Sequence, residues 1–272
     1  MLMRNNISYY CPHWGNQKSF DTFCKNVKNA GYDGVEIDIP FDEDERDHIF
    51  VKLKKYDLKL IGQYWQSLEK DFKTHKANFT KHLYHLASFE PVLINTQTGK
   101  DYFSFEKNME LIQLAENISK QTGVMIVHET HRGKFLYNLP VVQACIKANK
   151  NVKLTLDASH FCNVHESYLE DQAEALQAAI SHTQHLHARV GHPEGPQVND
   201  PRAPEWAEAL KKHFSWWDQV VALHKKNKTP LTITTEFGPA PYMPSYPYSN
   251  KPVAKQWDIN IFMLTQLQNR YK

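Results

Sequence analysis

Residues 152–192 read VKLTLDASHFCNVHESYLEDQAEALQAAISHTQHLHARVGH. The stretch begins with a short apolar strand, 152–157, that stops at Asp157. A helical segment follows at 166–180, and then a second strand at 184–190. A strand, a helix and another strand make a crossover unit, and such units build parallel sheets. Both strands also end in polar groups: Asp157 and His160 on the first, His185, His187, Arg189 and His192 on the second.

The same alternation extends in both directions. Strands are predicted at 7–14, 34–39, 58–65, 91–95, 124–129 and 231–237. In the first helix Phe20, Phe23, Val27 and Ala30 share one face, and Gly31 ends it. Pro40 stops the second strand. Ile49, Phe50 and Leu53 mark the second helix, and Phe72, Phe79, Leu83 and Leu86 the third. Later helices are expected at 104–121, with Phe105, Met109, Ile112 and Ala115 inward, and at 139–148, 204–227 and 252–271. Eight strand–helix units in 272 residues match a closed barrel, typically about 250 residues long. No GxGxxG turn follows the first strand, as an open dinucleotide-binding sheet would require. The expected fold is therefore α/β, a single (β/α)8 TIM-barrel domain spanning 1–272.

Composition narrows the function. A net charge of +2, with basic and acidic residues interleaved, gives no electrostatic footprint for nucleic acid. No apolar run reaches the roughly 18 residues of a membrane span. The start, MLMRNNISYYCPHWG, has no uninterrupted apolar segment, so a secretory signal is not expected. Cys11, Cys24, Cys145 and Cys162 form no CxxC pair, hence neither a thiolate zinc site nor a disulfide framework. Free thiols fit a cytoplasmic location. The 15 histidines are the outlier, and several stand beside carboxylates.

Catalytic groups of parallel barrels sit at the C-terminal ends of the strands. Strand five ends IVHETHRG, with His128, Glu129, His131 and Arg132; strand eight ends TTEFGP, with Glu236; strand two carries Glu36 and Asp38. Any one buried acid is commonly a satisfied structural group. Acids converging on one mouth from neighbouring strands would repel unless a cation stood between them. His187 lies nearer the mouth than His185 and is the better ligand; His128 and His131 are read as supporting or surface groups. Three carboxylates and one imidazole suit one divalent ion, Mn²⁺, Mg²⁺ or Co²⁺, with Zn²⁺ also accommodated.

The order Glu129, Asp157-x-x-His160, His187, Glu236 resembles the sugar isomerase/epimerase superfamily with the xylose isomerase-like barrel. AGYDGVEIDIP, residues 30–40, is similar to that family's second strand. The resemblance implies that Glu129, Asp157, His187 and Glu236 bind the metal and that the two glutamates transfer protons. It implies that His160 and Arg189 contact substrate oxygens. In these epimerases the arginine lies several residues beyond the histidine, whereas Arg189 follows His187 by two. HETHRG and HARVGHPEGPQVNDP look instead like an uncharacterised sugar phosphate isomerase group.

The expected activity is isomerisation or epimerisation of a sugar, sugar phosphate or hydroxy-ketone through an enediolate. Trp14 and Trp65 are candidates to stack on a sugar, Arg132 with Arg189 to receive a phosphate or carboxylate, and Glu36 to contact substrate. The expected partner is a small carbohydrate, with homo-oligomers common among related barrels. Two other activities share the fold: phosphoester cleavage of the endonuclease IV type, using a zinc cluster, and dehydration of an inosose-like ketone. A non-catalytic barrel is the third class, and the complete ligand quartet argues against it.

Overall fold

The computed structural model describes residues 6–272. Eight parallel strands close into a barrel: β1 (Ile7–Pro12), β2 (Gly34–Ile37), β3 (Lys59–Tyr64), β4 (Ile94–Thr96), β5 (Ile126–Glu129), β6 (Leu154–Leu156), β7 (Thr183–His187) and β8 (Leu231–Thr234). The ring shuts where Ile7 of β1 pairs with Leu231 of β8. Helices α1 (Phe20–Ala30), α2 (Glu43–Lys55), α3 (Phe72–Ala87), α4 (Phe105–Thr122) and α5 (Leu139–Ala148) cover the first five strands. The second half adds α6 (Ala158–Val164), α7 (Ala173–His182), α8 (Ala207–Asn227) and α9 (Gln256–Tyr271).

Local chemistry places the helix ends. The side chains of Ser19, Asp42, Asp71, Ser104 and Asn138 accept backbone N–H groups at five helix starts. Gly31 ends α1 in the left-handed region at φ 88°, where a Cβ would be strained.

Three expectations need correction. The segment predicted as one helix over 166–180 holds α7, which begins only at Ala173. Asp157 instead starts the short α6 directly after β6, and Glu166 and Leu169 at φ 47° and 65° break the chain between them. Phe105 is 36% exposed, because Leu111, Ile112, Ala115 and Ile118 form the buried stripe of α4. Strand β7 ends at His187, so Arg189 belongs to the loop beyond it.

The barrel interior is layered by the two-residue repeat of each strand. Tyr10, Ile61, Leu93 and Val127 form a small apolar cluster inside it. Two residues further along, on the same faces, stand Pro12, Gln63, Asn95 and Glu129. The interior thus turns polar toward the strands' C-terminal ends. Gly34 sits where strands crowd: a Cβ there would lie 2.3 Å from the Lys59 carbonyl oxygen and 2.6 Å from Tyr10 Cε1. Gly34→Ala is expected to destabilise the fold by about 1–3 kcal/mol through overpacking. An unchanged urea midpoint would refute that.

Candidate metal and active site

Strand ends β5 to β8 converge on one point. Ligand atoms of Glu129, Asp157, His187 and Glu236 all lie within 4.8 Å of one another, and all four residues are buried. Glu129 ends β5, Asp157 follows β6, His187 ends β7 and Glu236 stands two residues past β8. Both carboxylate oxygens of Glu129, Oε2 of Glu236 and Nδ1 of His187 lack a hydrogen-bond partner. Buried polar atoms are rarely left so. His187 Nδ1 stands 2.6 Å from Glu236 Oε2 and 3.5 Å from Glu129 Oε1. Orphaned atoms on two glutamates and an imidazole, beside an Asp157 carboxylate already held by Ser159 and Arg189, face a common point and fit a divalent cation with a preference for oxygen.

Without a cation, protein charges balance the acids. Burial works against a charged His187, but Glu236, Glu36 and Glu129 hold its pKa well above the ordinary value. Burial also raises Glu129, yet the charge on His187 outweighs it and holds that carboxyl near about 2. Glu236 is pushed up to about 7, chiefly by burial. Asp157 is raised by burial, against the pull of Arg189. Arg189 is itself 1% exposed. Its Nη2 donates to Asp157 Oδ2, lies 2.7 Å from His160 Nε2 and 3.6 Å from Glu236 Oε2, and its Nε donates to Ser159 Oγ at 3.2 Å.

Beneath the quartet lies a satisfied polar layer. Glu36 takes Nε2 of His187 at 3.1 Å, Nε2 of His185 at 3.2 Å, Asn95 Nδ2 at 2.9 Å and Thr234 Oγ1 at 2.5 Å. Holding Nε2–H of His187 leaves Nδ1 free to bind a metal. Glu36 was expected to touch substrate; it stands one layer below Asp38 and faces His187 instead. Glu36→Gln is expected to weaken divalent-metal affinity about 10–100-fold, as loss of an outer-shell partner does. Titration calorimetry giving wild-type affinity would contradict this.

Above the quartet opens a cleft of about 690 Å³. Glu129, Glu236, Arg189, Trp14 and Trp65 line it, joined by His131 and Tyr242. Trp14 meets Tyr242 edge to face at 5.0 Å and lies so close on Gly238 that a Cβ there would be 2.2 Å from its ring. His160 stands outside the lining, behind Arg189, with Nδ1 unpartnered. Arg132 also stands outside it, exposed, with Nη1 3.3 Å from Asn163 Oδ1 and its guanidinium 5.0 Å from the Tyr242 ring centroid. His128 bonds Thr98 Oγ1 at 2.7 Å away from the quartet, and His185 is enclosed on Glu36 and Thr232.

Sequence reasoning missed Tyr242. It sits in the loop after β8, its hydroxyl 3.3 Å from His131 Nε2 and its ring 4.8 Å from the Arg189 guanidinium. Its position after a barrel strand was the signal available, but the segment PAPYMPSYPYSN offers several tyrosines. Ser159, the Arg189 partner, was missed because it falls between two residues already singled out.

No protein-family profile matches the chain. Inosose dehydratase of Mesomycoplasma hyopneumoniae is 27% identical over 201 residues, 65% of this chain and 64% of the relative. The match thus spans just under two thirds of that relative's length. Among solved structures, 3-keto-D-glucoside 4-epimerase from E. coli aligns with TM-score 0.63 at 15% identity, over 98% of this chain and 100% of that one. A xylose isomerase-like barrel protein from Mycobacterium smegmatis, in complex with magnesium, aligns at 0.60 and 11% identity, over 97% and 98%. No helix of the described residues is long and apolar enough to cross a membrane. The closed ring of eight parallel strands makes the chain a (β/α)8 TIM barrel, and these full-length superpositions show that its fold matches xylose isomerase-like barrels.

Proposed function

We propose that the protein is a divalent-metal-dependent isomerase or epimerase of a sugar or related hydroxy-ketone. The observation that carries this reading is the buried quartet of Glu129, Asp157, His187 and Glu236 at the floor of an open cleft, with unpartnered ligand atoms on Glu129, His187 and Glu236. A cation bound there supplies Lewis acidity toward a carbonyl oxygen. Only Glu129 and Glu236 of the four reach the cleft lining; Asp157 and His187 are fully enclosed. The two glutamates are therefore the groups that can meet a carbon-bound proton, one removing it and the other returning it. Return to the opposite face inverts the carbon; return to its neighbour moves the carbonyl. Arg189, fixed by Asp157 and Ser159, offsets negative charge as it develops on substrate oxygen.

The similarity to inosose dehydratase supports a second reading, in which the same proton removal is followed by loss of hydroxide. Elemental analysis of protein never exposed to chelator, combined with ketose incubation in D₂O followed by NMR, tests both. The expected result is a single divalent ion per chain and deuterium beside the carbonyl. A new ultraviolet band from a conjugated enone would select the dehydratase. Two or three zinc ions would instead favour phosphoester cleavage, and no metal after reloading with Mn²⁺ would overturn the enzyme reading.

A further inference from the structure

The cleft has two chemically different halves. The quartet occupies the β5–β8 side, while strands β1 to β3 build the opposite wall with Asp38, Gln63, Gln66 and Trp65. On that wall Gln66 donates its amide to Asp38 Oδ2, which leaves two acceptors, Asp38 Oδ1 and Gln66 Oε1, buried without partners. Unpaired buried acceptors require donors, and hydroxyl groups supply them.

Cations are missing where an anionic substrate would need them. Among the described residues lining the cleft, Arg189 is the sole Lys or Arg, and it is engaged by Asp157 and His160. The Lys134 ammonium, close behind the wall, is spent on Ser67 Oγ at 2.7 Å and the Ser67 carbonyl at 3.1 Å. Glu45 and Asp38 add negative charge to the half remote from the quartet. Trp65, 47% exposed at the rim, offers an aromatic face of the kind that packs on the apolar side of a sugar ring. A volume of about 690 Å³ is within the range of pockets for drug-sized ligands, about 300–1,000 Å³, and exceeds the need of one sugar ring.

We infer that the β1–β3 wall is a second subsite, which binds the uncharged, hydroxyl-bearing remainder of a glycoside and excludes sugar phosphates. This deepens the proposed function and rests on it for the reacting end of the substrate. The subsite orients the distal ring by hydroxyl donation to Asp38 and Gln66 and by stacking on Trp65.

Saturation-transfer NMR on the full chain, with Mg²⁺ present, tests the inference using cellobiose, methyl β-D-glucoside and glucose 6-phosphate as probes. Cellobiose should bind at least ten-fold more tightly than glucose 6-phosphate. Asp38→Asn and Trp65→Ala should each weaken cellobiose several-fold, and Asp38→Asn should narrow the gap to the phosphate. Gln66→Ala, a milder change on the same wall, provides the check if Asp38→Asn fails to fold. Glucose 6-phosphate binding as well as cellobiose, or cellobiose indifferent to the wall variants, overturns the inference. The two readings fail separately: absent deuterium exchange with the glycoside preference intact removes the chemistry alone. Exchange confined to sugar phosphates removes the subsite alone.

Discussion

With glutamine in place of Glu236, proton exchange next to the substrate carbonyl is expected to fall about 10²–10⁴-fold, the usual share of a general acid or base. Glu236 is one of two ligand-set carboxylates that line the cleft, and its Oε2 stands 2.6 Å from His187 Nδ1 and 3.6 Å from Arg189 Nη2. Glutamine preserves its size in a site packed between Thr235 and Phe237, both fully buried, so the melting temperature should hold. Deuterium exchange measured beside metal content separates lost proton transfer from lost metal. Full turnover in Glu236→Gln would remove this residue from acid–base chemistry. Asp157→Asn should act differently, because Asp157 is enclosed: metal content falls first and exchange falls with it.

The largest effect on stability is expected from Arg189→Leu in metal-free protein. The substitution leaves Asp157 and Glu236 buried without their guanidinium partner. Breaking a buried ion pair from one side costs about 3–5 kcal/mol. A divalent ion in the quartet would offset the same carboxylates, so saturating Mg²⁺ or Mn²⁺ should recover much of the loss. Urea denaturation of wild type and variant, with and without metal, gives the comparison. An equal loss under both conditions would mean that Arg189 serves packing or hydrogen bonding rather than charge balance.

Much of this was legible in the chain. Local rules carry the barrel: a two-residue repeat in short apolar runs, a helical period between them, and caps such as Ser19 and Gly31 at the boundaries. Strand ends were equally legible, because the residue closing an apolar run in a parallel barrel stands at the mouth, as Glu129, Asp157 and His187 do. The helix at 166–180 was misplaced because capping by Asp157 and positive φ at Glu166 and Leu169 outweighed a long helical pattern.

Depth and partnership were not legible. Glu36 and Asp38 lie two apart in one motif, yet one anchors His187 and the other lines the cleft. A strand's repeat says which face a side chain takes, but its layer depends on how neighbouring strands are staggered. Arg189 and Arg132 likewise look equivalent in sequence. Folding buries the first against Asp157 and leaves the second exposed near Asn163.

Sequence alone therefore determined the alternation of strands and helices and the acids and histidine at four consecutive strand ends, since these depend on residues near one another in the chain. The tertiary structure decided which of those groups share one point, which reach the cleft and which charge neutralises which. Those are distances between residues far apart in sequence, set only when β8 closes on β1 and the loops pack above the ring.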